Sequence, residues 1–129
     1  AALLYRLSGD YNSIHVEGDK LLDSEDTRGP ILHGLCTLGY AVRAVLHHIH
    51  QHTTDKAKVV SVKCNFTKPV FVGDSIHVEV WDNNKTSGER PSINFRVYKI
   101  NDGIKNVVVD KGRLQYRKER SIQASTSRL

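Results

Sequence analysis

From Ile31 to about His50 the apolar residues Leu35, Leu38, Val42, Val45, Leu46 and Ile49 recur at three- and four-residue steps. That repeat lines one face of an α-helix and predicts one long, mostly buried helix. A helix with that much apolar surface needs a second layer to cover it. The composition leaves room for one: 129 residues, 39% of them hydrophobic, suffice for a single domain with a real core but are short for two.

The cover lies downstream. After His52-Thr53-Thr54 the period changes, and Val59, Val60, Val62, Cys64 and Phe66 belong to a strand that ends near Lys68-Pro69. Ile76 to Trp81 and Ile93 to Tyr98 alternate apolar with polar residues, with a turn-rich stretch from Asp82 to Pro91 between them. They read as an antiparallel hairpin. Asn106 to Tyr116 forms a further strand after the Asn101-Asp102-Gly103 turn. The expected class is therefore α+β, an antiparallel sheet wrapped around a long central helix, which is the outline of a hotdog fold.

Upstream, residues 2–7 read as a short extended segment that enters a turn at Ser8-Gly9-Asp10. Residues 11–30 are polar and broken by Gly18, Gly29 and Pro30. They carry an acidic loop at Asp23, Glu25 and Asp26 and room for a short helix around Lys20 to Ser24. We place the domain at residues 1–118 and a flexible tail at 119–129, where the pattern is lost. The chain opens on Ala1 close to a strong motif, so an extension upstream is expected. No apolar run approaches the roughly 20 residues of a membrane span, so a soluble protein with no membrane partner is expected. Cys36 and Cys64 are too few for a disulfide framework and lack CxxC spacing. The net charge of +5 is scattered among acidic residues. That suits a phosphate-bearing small molecule rather than a nucleic acid.

Two stretches carry chemistry. In Tyr5-Arg6-Leu7-Ser8-Gly9-Asp10-Tyr11-Asn12-Ser13-Ile14-His15 an Asp, an Asn and a His stand at D-x-N-x-x-H spacing. A carboxylate and an imidazole so placed can divide the work of adding water, one taking a proton from water and the other giving one to carbon. Asn12, both donor and acceptor, can orient the water or the Asp10 carboxylate. The plainer alternative is a turn with a solvated histidine. In Gly29-Pro30-Ile31-Leu32-His33-Gly34-Leu35-Cys36 a Pro and a Gly stand at the helix start. A backbone N–H near Gly34 can serve there as an oxyanion hole for a thioester carbonyl. Alternatively, Gly34 is small only for packing against the sheet.

Together the two stretches resemble the type-2, R-specific enoyl-CoA hydratases and related MaoC-like dehydratases. The similarity runs from about Leu3 to Tyr116, is densest in LLYRLSGDYNSIH and PILHGLCTLGYAVRAV, and continues in Phe66 to Asp74. It implies reversible hydration of a trans-2-enoyl-CoA to a (3R)-3-hydroxyacyl-CoA, as in fatty-acid β-oxidation. In that reaction Asp10 and His15 form the catalytic pair, Asn12 assists and Gly34 serves at the oxyanion or substrate site. It implies no metal or redox cofactor, coenzyme A being part of the substrate. A second hotdog domain is the implied partner, either in a homodimer or as the other half of a longer chain. Ser13, where the family typically has proline, and the lengthened acidic loop from Asp19 to Asp26 set this sequence apart.

Other signals bear on partners. His47, His48, His50 and His52 crowd the helix end, where partial positive charge suits the helix dipole; we assign them no metal. Lys63, Lys68, Lys85, Arg90, Arg96 and Lys99 are candidates for the phosphates of coenzyme A. Ser127-Arg128-Leu129 resembles the Ser-Lys-Leu peroxisomal address, so a peroxisomal location and an import-receptor partner are expected. Two other functions compete. A hotdog acyl-CoA thioesterase would more often take its carboxylate from the long helix, yet residues 35–46 contain no Asp or Glu. A non-catalytic acyl-CoA-binding or assembly module would make the Asp10, Asn12 and His15 set a coincidence.

Overall fold

Ile31 and Leu32 do not begin the long helix. In the computed structural model, which describes residues 2–7, 9, 15, 29–83 and 88–119, they are extended. Ile31 forms an isolated antiparallel bridge with Phe71, and the Leu32 N–H donates to the Val70 carbonyl at 2.6 Å. The helix, α2, runs from Gly34 to His52. A backbone already paired across to residues 70–72 is not available for helical bonds, which moves the start three residues downstream.

Four elements follow: β1 (Lys56–Phe66), β2 (Ile76–Asp82), β3 (Ser92–Asn101) and β4 (Ile104–Glu119). They form one antiparallel sheet in the order β1-β4-β3-β2. The expected sheet on a long helix is therefore present, and each strand is longer than its apolar core implied. Residues 2–7 are a correction: Ala2–Leu7 is a short helix, α1, in keeping with the helix preference of Ala, Leu and Arg. The short helix expected around Lys20 to Ser24 lies outside the described residues.

Thr37, Ala41, Val45 and Ile49, spaced by four, are the buried row of α2. Small side chains at 37 and 41 let the helix start lie close to the sheet. Leu35 points away and is 67% exposed, contrary to the apolar stripe in which it was placed. From β3 the inward row is Ile93, Phe95, Val97 and Lys99; from β4 it is Tyr116, Leu114 and Gly112, resuming at Val109. The break in the two-residue alternation is a β-bulge. Lys111 has a φ of 51° there, so one extra residue is taken up and the inward face is restored beyond it.

The bulge is held by Asp110, whose Oδ1 accepts from the Lys111 N–H at 2.8 Å and from Arg96 Nε at 3.0 Å. The Lys111 backbone bond first, and Arg96 second, hold the Asp110 carboxyl below its usual value. A depressed acid stabilises the fold when ionised. Its contribution is full above the ordinary aspartate range and is lost as pH falls through the lowered value. We expect Asp110→Asn to flatten the acid side of the stability profile, with urea midpoints measured between pH 6 and 3 as the check; an unchanged profile would count against this role.

Gly112 is required by a close approach. A Cβ there would lie 2.6 Å from the Phe95 ring and 2.6 Å from the Phe95 carbonyl oxygen, and Phe95 is fully buried. Neither a core ring nor a strand carbonyl can yield cheaply, so Gly112→Ala should destabilise by about 1–3 kcal/mol or more. Equilibrium denaturation measures this, and a variant within about 0.5 kcal/mol of wild type would show that the site relaxes.

The β3–β4 hairpin closes through Asp102 and Gly103, with φ of 50° and 76°. These are the two positive values a tight hairpin needs for its strands to keep their twist. No helix among the described residues is long and apolar enough to cross a membrane.

Candidate active site

His15 is tied to the segment that precedes α2. Its Nδ1 lies 3.0 Å from the Ile31 carbonyl oxygen. A carbonyl only accepts, so Nδ1 donates and, in the neutral ring, the lone pair sits on Nε2. The Ile31–Phe71 bridge holds that carbonyl in turn. The resemblance-based pairing of His15 with Asp10 and Asn12 falls on two residues that lie outside the described ones. His15 and Gly34 are the site residues with a described place.

The His15 ring is stacked. Its centroid lies 3.7 Å from that of His33 with the planes 19° apart, and the far side of His33 faces Tyr5 at 4.0 Å and 15°. Burial pushes the Tyr5 hydroxyl up, and the Cys36 thiol to which it hydrogen-bonds adds to the shift. Tyr5 is therefore a neutral phenol at physiological pH. This column of three rings stands over the N-terminal end of α2.

Two cavities share His15, Ile31, Leu32 and Val70 in their linings. The larger, about 760 Å³, adds Phe71 and Ile76. It has the size and apolar character of a small-molecule site and would suit an alkyl chain. The smaller, about 340 Å³, adds Gly34, Thr37, Phe66 and Lys68. Gly34 opens α2, where the first N–H groups have no acceptor one turn back. The space left by its missing side chain goes to Phe66: a Cβ on Gly34 would lie 3.2 Å from that ring. The packing role of this glycine is thus visible in the structure.

A latch behind the larger cavity went unnoticed in the sequence. Lys99, 4% exposed on the inward face of β3, donates to Asp74 Oδ2 at 2.7 Å and to the Pro69 carbonyl at 3.0 Å. Asp74 Oδ2 also accepts from the Phe71 N–H at 2.9 Å. The turn that bridges to Ile31 is thereby fastened to the sheet. This removes Lys99 from the candidates for coenzyme A phosphates. Arg96 is likewise engaged, with Asp110. Lys68 sits at the smaller cavity, its Nζ 2.9 Å from Asn106 Oδ1. Lys63 and Arg90 are exposed, and Lys85 lies outside the described residues.

At the other end of α2, His47 hydrogen-bonds Gln51 at 3.1 Å and His48 meets His52 edge-on. No metal-binding group of His, Cys, Asp or Glu occurs among the described residues. Cys36 and Cys64 are half-buried free thiols, and burial pushes the Cys64 thiol up. His33, Tyr5 and the Ile31 carbonyl had no assigned role in the sequence. A usable signal for His33 was its place directly before a helix, where Ser, Thr, Asp or Asn would be expected.

The MaoC like domain family matches residues 1–104. Peroxisomal multifunctional enzyme type 2 of Mus musculus is 36% identical over 110 residues, covering 84% of this chain and 14% of that protein. Peroxisomal enoyl-CoA hydratase 2 of Arabidopsis thaliana is 41% identical over 80 residues, covering 62% of this chain and 25% of that one. Among solved structures, a MaoC-like dehydratase from Phytophthora capsici superposes with a TM-score of 0.64 at 32% identity, covering 92% of this chain and 38% of that chain. The chain spans less than half the length of each of these relatives. The hotdog fold expected from the sequence is the fold these neighbours share with it. With a helix on a four-stranded antiparallel sheet and a family match across most of its length, this chain belongs to the MaoC-like domain family.

Proposed function

We propose that the chain is the catalytic hotdog of a (3R)-specific 2-enoyl-CoA hydratase. The single observation that carries the proposal is His15, held through Nδ1 by the Ile31 carbonyl where the linings of an apolar cavity and a helix-start cavity overlap. An acyl chain in the larger cavity and a thioester near the start of α2 would bring the substrate double bond to that histidine. Water oxygen bonds to C3, the π electrons move toward the thioester carbonyl, and C2 then takes a proton. Asp10 and His15 together remove one proton from water and return one to carbon, so no net proton is consumed. Asn12 orients the water or the carboxylate. The Gly34 N–H faces the charge that grows on the thioester oxygen, a role compatible with Phe66 filling its side-chain space. Hydration changes no oxidation state overall, and we propose it without a metal or redox cofactor.

The partner we propose is a second hotdog domain, from another copy or from the same longer chain. β1 lies at the sheet edge and exposes Val59, Val60 and Phe66. A long edge strand with apolar exposure is a hazard unless covered. The peroxisomal names of the curated relatives support that location. Ser127-Arg128-Leu129, outside the described residues, would engage the import receptor where it ends the translated chain.

The test follows the conjugated thioester absorbance of a trans-2-enoyl-CoA together with a thiol reagent. Loss of absorbance without thiol release is the expected result. Thiol release would point to a thioesterase, and binding without turnover to a non-catalytic module.

A further inference from the structure

We propose that His33 is a positioning residue that sets the plane of the His15 ring; this rests on the reading above, in which His15 exchanges the proton. His33 occupies the position before α2, with φ −60° and ψ 136°, and its carbonyl accepts from the Cys36 and Thr37 N–H groups at 3.0 and 3.1 Å. Its side chain makes no capping bond. A Ser, Thr, Asp or Asn there would supply such a bond and stabilise the helix. The imidazole is instead 5% exposed and sandwiched between Tyr5 and His15.

The geometry explains what the sandwich does. The hydrogen bond from Nδ1 to the Ile31 carbonyl fixes one corner of the His15 ring and by itself allows a swing about that bond. A flat ring 3.7 Å away and 19° from parallel removes the swing, because tilting His15 would drive it into His33. His33 is itself braced on its other face by Tyr5, which hydrogen-bonds Cys36 of α2. Nε2 of His15 is thus aimed by two constraints: one sets where the ring sits, and the other sets its plane. Misplacement by about 1 Å at a reacting group can cost on the order of a hundredfold. The stack therefore has a kinetic consequence out of proportion to its contact energy.

The experiment compares His33→Ala, His33→Phe and His15→Ala in the hydration assay, with histidine ¹⁵N NMR of each folded protein. His33→Ala should lower kcat by about tenfold to a hundredfold with KM changed by less than about threefold. His33→Phe, which keeps a flat ring, should recover kcat to within about threefold of wild type. The ¹⁵N shifts of His15 should report the Nδ1–H form in wild type, His33→Phe and His33→Ala alike, because the Ile31 carbonyl still accepts from that ring, so a loss of kcat in His33→Ala reports the ring's plane and not its tautomer. If His33→Ala fails to fold, the His33→Phe kinetics and spectrum still decide: loss of kcat or of the Nδ1–H signature there overturns the proposal. So does full activity in a folded His33→Ala. Should His15→Ala itself keep full activity, the functional reading fails; should it lose activity while both His33 variants keep theirs, only the role of His33 fails.

Discussion

Replacing His15 by Ala, or Asp10 by Asn, is expected to lower kcat for hydration of a trans-2-enoyl-CoA by about 10²- to 10⁴-fold, the range that positioned acid–base groups supply. The two losses should not add, because removing either member of a pair that moves one proton in and one proton out leaves the other without its task. His15→Ala should leave the fold intact. The ring is only half-buried, and the Ile31 carbonyl keeps its place through the bridge with Phe71. Folding is checked by circular dichroism and activity by the absorbance of the conjugated thioester. A folded variant with full kcat would show that the residue takes no part in the chemistry.

The largest expected effect on stability is at Lys99. Its ammonium sits on the inward face of the sheet with side-chain exposure of 5%, against 16% for its partner Asp74, so the pair is largely shielded from bulk water. Lys99→Met leaves the partly buried Asp74 carboxylate without its cation, and breaking such a pair from one side costs up to about 3–5 kcal/mol. Removing both charges, in Lys99→Met with Asp74→Leu, should recover part of the loss, since a buried pair is often replaced by apolar groups at little cost. Recovery is incomplete because Asp74 also accepts from the Phe71 N–H. Urea denaturation of the two single variants and the double variant measures the coupling. Additive losses would mean that the two charges do not depend on each other. The same latch fastens the turn that bridges to Ile31, so the Lys99 variant should also lose kcat.

The layered architecture was legible because it depends on period. A three- and four-residue repeat and a two-residue repeat differ in any sequence, and α2 and all four strands followed from them. The ends of elements depended on tertiary partners. Ile31 and Leu32 carry apolar side chains that suit a helix, but their backbone is committed to residues 70–72. Residues 2–7 are too few for a period to show, and their helix preference decided the outcome. The bulge at Lys111 was invisible for a similar reason: it exists to place Phe95 against Gly112, which are adjacent only after β3 and β4 have paired.

The site divides the same way. His15 and Gly34 were legible as residue types at telling positions. The ring column was not, because Tyr5, His15 and His33 are far apart in sequence and meet only in the folded protein. Lys99 stood among six candidates for the coenzyme A phosphates, and its buried place could not be read. A basic residue on an alternating strand is expected to face outward, and only the carboxylate from the 69–74 turn makes the inward position tolerable.

Hydration of an enoyl thioester on one face is tested most directly by product chirality. The protein, alone and joined with the proposed second hotdog domain, is incubated with a trans-2-enoyl-CoA. The product is then offered separately to dehydrogenases specific for (3R)- and (3S)-3-hydroxyacyl-CoA. Oxidation by the (3R)-specific enzyme alone is the predicted result, and a (3S) or racemic product, or thiol release without hydration, would contradict it.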